Sequence, residues 1–167
     1  APRARYDRFS PRAGILLAVD EDVTLYGNVS GLFEPPTSYE LEDNVVGGDA
    51  TLAPMTGTVV EVGTRGQFRS DDLRQWSWDV SMYYAKIDDE ILSVEDPNAP
   101  GTSLVTNVDS TIHAGIEAML RGVFSIGPGG GTLEPMLALT LNEFAFDEHP
   151  LYGRNALPAA PNYFARG

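Results

Sequence analysis

The chain contains no cysteine. Thiolate metal sites, cysteine nucleophiles and disulfide staples are excluded, while the compartment stays open, because a cysteine-free chain suits a reducing or an oxidising one. Cations are scarce: 11 Lys and Arg stand against 24 Asp and Glu, for a formal net charge of −13. Such a surface cannot neutralise a run of phosphates, so nucleic acid is excluded as a partner. Long apolar runs are missing as well. The longest, AGILLAV at 13–19, falls far short of the ~20 residues of a membrane helix. A membrane-spanning β-barrel needs no such run. The opening APRARYDRF lacks the apolar centre of a signal peptide.

Catalytic signals are equally thin. The two histidines, His113 and His149, fall on different segments, and no carboxylate spacing builds a metal site around either. GPGGG at 127–131 is a turn and not a phosphate loop, because no Lys-Ser/Thr follows it. Serine, histidine and acid residues form no nucleophile elbow. No enzyme and no cofactor are expected.

What the chain has in plenty is turn and strand chemistry. Its 17 glycines and 12 prolines favour turns over long helices. The stretch TLYGNVSGLFEPPT at 24–37 alternates with period two. Val23, Leu25, Val29 and Phe33 fall on one side with Gly27 and Gly31 between them, and Thr24, Tyr26, Asn28 and Ser30 fall on the other. Pro35 and Pro36 then end it, since proline has no N–H for a ladder.

The same period predicts strands at 9–19, 22–33, 56–68, 75–87, 110–126 and 132–146. Short turns, DED, RSDDLR and GPGGG, alternate with long loops at 34–54, 88–108 and 147–160, and the second loop carries a candidate hairpin, EILSVE against SLVTNV. An antiparallel up-and-down meander with all short turns at one end and all long loops at the other follows. Strands well beyond the common five or six residues suit a transmembrane barrel. The chain is expected to be a single segment, 1–167, of about six full strands and the start of a seventh. Alternation alone leaves open whether the apolar face meets lipid or the core of a soluble sandwich.

Charge placement bears on that choice. VEVGTRGQF (60–68) and IEAMLRGVF (116–124) share one skeleton, β-branched–Glu–three residues–Arg–Gly–one residue–Phe. Glu and Arg four apart in an extended chain share a face at about 13 Å, too far to bond, so their partners must stand on neighbouring strands. Glu61, Arg65, Asp79, Glu117 and Arg121 therefore form an expected cross-strand charge lattice. Such a lattice suits a wetted lumen better than a dry core, where each charge would be costly. Trp76 and Trp78, with Phe68 and Phe124 at a similar height near the short turns, fit an interfacial aromatic girdle.

These segments also carry a resemblance. FSPRAGILLAVDEDVTLYGNVSGLFEPPT resembles the mid-barrel signature of TonB-dependent outer-membrane receptors, S-P-R-x-G followed by a short turn and h-Y-x-N-x-S-x-x-F-x-P-P. Ser10, Pro11, Arg12, Gly14, Tyr26, Asn28, Ser30, Phe33, Pro35 and Pro36 carry the match. VEVGTRGQF, YYAKIDDEIL, GIEAML and LPAAPNYF resemble later segments of that family in the same order. The resemblance implies an all-β piece of an outer-membrane barrel in the bacterial outer membrane, without the plug domain, the TonB box or the closing strands of an intact receptor. It implies uptake of a ferric siderophore or similar scarce nutrient, with outer-membrane lipid, the nutrient or metal chelate, and the TonB complex (through the absent plug) as partners. Ligand contacts would come from the extracellular loops, where Tyr39, Tyr152 and Arg154 are best able to stack on or pair with a ligand. A soluble all-β module of carbohydrate-binding type and a porin-like or autotransporter-like passive barrel are the alternatives.

Overall fold

The computed structural model describes residues 6–43, 52–71, 74–96, 99–127, 129–158 and 160–167. Eight strands form one sheet: β1 (Arg12–Ala18), β2 (Val23–Glu34), β3 (Met55–Asp71), β4 (Arg74–Glu95), β5 (Ser103–Ile126), β6 (Gly131–Leu133), β7 (Met136–Phe146) and β8 (Tyr163–Arg166). The order is β1-β2-β3-β4-β5-β7-β8 with β6 beside β5, and every pairing is antiparallel. This is the expected meander, with short connections at one end and long ones at the other.

Each turn has a local cause. Asp20 Oδ1 accepts the N–H groups of Asp22 and Val23, both at 2.8 Å, and closes the β1–β2 turn. At the far end of β2 the chain breaks at Pro35-Pro36 and enters a short helix, α1 (Ser38–Asp43). Thr37 and Glu40 cap it reciprocally: the Thr37 N–H donates to Glu40 Oε2 at 2.6 Å and the Glu40 N–H to Thr37 Oγ1 at 3.3 Å. The reading of 132–146 as one strand is corrected at Pro135, which has no N–H to give. The register is the same on both sides of the break, with Phe124 opposite Leu133 and Arg121 opposite Met136.

A larger correction concerns 88–108, read as a loop with its own hairpin. The EILSVE/SLVTNV pairing is present, from Glu90 opposite Val108 to Glu95 opposite Ser103, but it prolongs β4 and β5 rather than standing apart. Asp89 has φ 58°, a left-handed conformation, and there the two strands change phase. Below it the odd residues Ala85 and Ile87 share a face with His113 and Thr111. Above it the even residues Leu92 and Val94 pack with Val108, Phe146 and Leu157 on that same side.

Residues directly opposite in a ladder share a face, so the register assigns both faces. Row by row, one reads Gly27–Val62–Met82–Ile116–Leu141 and Leu25–Thr64–Val80–Ala118–Leu139. The other reads Tyr26–Gly63–Ser81–Glu117–Thr140 and Thr24–Arg65–Asp79–Met119–Ala138. Among the described residues nothing covers the apolar face: Val62, Met82, Ile116 and Leu141 are 40–54% exposed. A soluble sandwich would bury these side chains against a second sheet, and the described residues form one sheet only. The buried apolar cluster, Val108, Phe146 and Leu157, lies instead at the long-loop end.

The apolar face is banded. Trp76 and Phe124 meet edge to face at 5.0 Å near the short turns, Phe68 stands opposite Trp76, and Trp78 lies over Gly66. From Trp76 to Tyr84 the strand rises about 26 Å, or about 20 Å along the axis of a barrel tilted ~40°. Just above, Lys86 and Asp147 make an ion pair at 2.6 Å. Aromatics at one edge and charges at the other frame most of the ~25 Å band that lipid requires.

Candidate functional site

The polar face is held by side chains that reach across strands. Tyr26 on β2 lies over Gly63 on β3 and donates its hydroxyl to Asp79 Oδ1 on β4 at 2.9 Å. Tyr83 on β4 repeats the arrangement, crossing Gly115 on β5 to Asn142 Oδ1 on β7 at 2.8 Å. Glycine is required under each ring, because an added Cβ would lie 2.4 Å from Tyr26 Cζ at Gly63 and 2.6 Å from the Tyr83 hydroxyl oxygen at Gly115. Asn28 Nδ2 donates to Glu61 Oε2 at 2.8 Å, and the Arg65 guanidinium stands 6.0 Å from the Tyr26 ring centroid. Between these groups lies an open hollow of about 350 Å³, lined by Tyr26, Glu61, Asp79, Ser81, Glu117 and Thr140 among others.

All five lattice residues fall on this face, Arg65 directly opposite Asp79, Glu117 opposite Ser81 and Arg121 opposite Ser77. Their hydrogen-bond partners differ from one another. Asp79 is held by Tyr26, Glu61 by Asn28, and Arg121 by Glu134, so among the described residues no ion pair joins two of the five. The sequence carried no signal for the tyrosine–glycine crossings, because a tyrosine and the glycine beneath it are separated by a register that only pairing defines.

The loop candidates are placed on two connections. Tyr39 is on α1 and 72% exposed. Tyr152 and Arg154 lie between β7 and β8, where Tyr152 stacks on Phe146 (4.9 Å) and on His149 (4.8 Å) in a three-ring cluster and Arg154 pairs with Glu148 at 2.8 Å. His149 Nδ1 accepts from the Leu151 N–H at 3.2 Å, so its ring organises the loop. Asn107 binds the other long connection, donating Nδ2 to the Ala53 carbonyl at 3.0 Å and accepting the Ala53 N–H at 2.8 Å.

One polar cluster escaped the sequence reading altogether. Glu90 Oε2 accepts the Thr111 hydroxyl and lies 3.0 Å from His113 Nε2, while the His113 ring rests on Phe144 at 4.3 Å. Burial pushes the Glu90 carboxyl up, but the bonds from His113 and Thr111 outweigh it and hold it below the usual carboxylate value. Strict alternation would have sent Glu90 to the opposite face; the phase change at Asp89 brings it here.

The family model for TonB dependent receptor-like, beta-barrel matches residues 1–167. The chain belongs to this family of outer-membrane β-barrels. No curated protein matches the chain significantly. Proteins of this family sit in the bacterial outer membrane as receptors and transporters rather than enzymes, and the intact receptor works with TonB. Outer-membrane barrels carry short periplasmic turns and longer extracellular loops, which makes the end bearing α1, the β4–β5 hairpin tip and residues 147–162 the extracellular one.

Proposed function

We propose that this chain is one segment of the barrel wall of a receptor that imports a ferric siderophore or a similarly scarce nutrient. The observation that supports this most is the division of one sheet into an uncovered apolar face and a face of hydrogen-bonded tyrosines, amides and carboxylates. The apolar face meets lipid. The polar face, with Glu61, Arg65, Asp79, Glu117 and Arg121, lines the lumen and stays wetted. Tyr39, Tyr152 and Arg154 contact ligand at the extracellular mouth, and a plug domain in the intact receptor links the barrel to TonB.

The connection 34–54 limits the ligand. It carries Glu34, Glu40, Glu42, Asp43 and Asp49 and no basic residue, so an anionic ferric chelate must find its cations elsewhere on the receptor. The test is a binding panel on the intact receptor in detergent: ferric siderophores of differing charge, a corrinoid and a neutral oligosaccharide. Saturable binding of a ferric siderophore at or below micromolar Kd supports the reading. Binding of the oligosaccharide alone overturns the iron assignment.

A further inference from the structure

The phase change at Asp89 sits where β4 and β5 leave the wall and continue as the extracellular hairpin. Asp89 and Glu148 are the non-glycine residues with positive φ among those described. Aspartate tolerates this region better than most residues, yet it is held there only if neighbours over-determine it. Two sets of contacts do so. Asn107 Nδ2 donates to the Asp89 carbonyl at 2.6 Å. The next residue, Glu90, is drawn onto the polar face by Thr111 and His113.

We propose that Glu90, His113 and Thr111 form a pH-sensitive latch that fixes the posture of the β4–β5 hairpin on the wall beneath it. The side chains of His113 and Glu90 are 17% and 12% exposed, so solvent screens their interaction poorly. Thr111 is fully buried and anchors the carboxylate from β5.

The surroundings isolate the pair. From β4, Glu90 and the neutral phenol of Tyr83 face the imidazole. On β5 its same-face neighbours are Thr111 and Gly115, and on β7 they are Asn142, Phe144 and Phe146. The covering segment 147–162 brings His149 and Tyr152, stacked beyond Phe146. Asp147, at the start of that segment, is engaged by Lys86. Among the described residues, Glu90 is the one carboxylate bonded to His113.

An imidazole changes charge between pH 5 and 8. While it is charged and Glu90 is ionised, the contact is an ion pair reinforced by the Thr111 hydroxyl. At higher pH a neutral hydrogen bond remains; at lower pH Glu90 protonates and the carboxylate acceptor is lost. The latch is therefore tightest in mild acid and slackens on either side, independently of which nutrient the receptor takes up.

The experiment is amide hydrogen exchange on the intact receptor in detergent micelles, corrected for intrinsic rates, followed through residues 90–95 and 103–108. Protection should be about threefold or more higher at pH 5.5 than at pH 8.0. His113→Gln, which keeps a donor and cannot titrate, should remove that ratio, as should Glu90→Gln. A ratio near one in the wild type, or a ratio that survives His113→Gln, overturns the latch. A second measurement needs no variant: the NMR titration of the His113 ring and the pH dependence of hairpin protection should share one midpoint, and separate midpoints also overturn it.

Discussion

Tyr26 passes over Gly63 and donates a hydrogen bond from its hydroxyl to Asp79 at 2.9 Å, so that one side chain ties β2, β3 and β4 together. Tyr83 does the same for β4, β5 and β7 across Gly115. A ring laid over a cross-strand glycine covers backbone that has no side chain of its own and pins the register of both pairings. Its hydroxyl then reaches a strand that a residue normally cannot touch.

Gly63→Ala is therefore expected to destabilise the barrel by about 1–3 kcal/mol. The new Cβ would meet Tyr26 Cζ at 2.4 Å and the Val80 carbonyl oxygen at 2.8 Å, so the ring and the backbone must both yield. Tyr26→Phe keeps the ring and should cost about 1 kcal/mol, the worth of one hydrogen bond. Denaturant unfolding of the intact receptor, refolded in vesicles, measures both. A neutral Gly63→Ala would mean that the ring is free to leave.

The two faces respond differently to charge. Met82→Arg places a guanidinium in the middle of the apolar band and should cost about 2–4 kcal/mol in vesicles. Thr140→Lys, on the polar face beside Glu117, should cost less than about 1 kcal/mol. Equal costs at the two positions would contradict the assignment of lipid to the Met82 face.

The period-two pattern made most of this fold legible. Strand faces, the short-turn end and the shared face of Glu61, Arg65, Asp79, Glu117 and Arg121 all follow from a side chain reversing direction at every residue. Pairing register does not follow from it, and that is why Tyr26 and Gly63, or Tyr83 and Gly115, showed no connection. The alternation also failed at Asp89, where a left-handed residue resets the phase: strict alternation leaves Glu90, Leu92 and Val94 on the face of Met82 and Tyr84, whereas they lie on the face of Thr111 and His113. Thr37 and Glu40 did spell a helix cap, but a six-residue helix gives too short a period to recognise.

The Lys86–Asp147 pair sets a second pH dependence at the extracellular edge. The hydrogen bond that Lys86 donates to Asp147 holds the Asp147 carboxyl below its ordinary value and raises the Lys86 ammonium above its own. The stabilisation from Asp147 is complete above the unfolded carboxylate value and is lost as pH falls through the lowered folded one. The Lys86 contribution is complete below the unfolded ammonium value and is lost as pH rises through the raised one. The tie should therefore be intact from about pH 4 to about pH 10. Exchange at the Asp147 amide, which donates to the Ser110 carbonyl at 2.9 Å, should rise outside that window relative to intrinsic rates. Asp147→Asn should make it insensitive to pH; a retained pH dependence would assign the effect to another group.

The ligand prediction is the one that the loop geometry reshapes. Tyr152 packs in a three-ring cluster with Phe146 and His149, whose rings are themselves 5.4 Å apart, which leaves its hydroxyl and the rest of its ring to meet a ligand. Arg154 is 73% exposed and its partner Glu148 is 74% exposed, an ion pair that costs little to exchange for a ligand carboxylate or phosphate. Arg154→Ala should thus act directly, whereas Tyr152→Ala also loosens the stack that shapes the loop. Together they should weaken ligand binding by the intact receptor at least tenfold, about 1.4 kcal/mol. Tyr152→Phe separates the two roles, since it keeps the stack and removes the hydroxyl. Calorimetry on the intact receptor with the nutrient found by the binding panel provides the measurement. Unchanged affinity in the Tyr152→Ala, Arg154→Ala double variant would remove this loop from the binding site and leave Tyr39, on the β2–β3 connection, as the remaining candidate of the three.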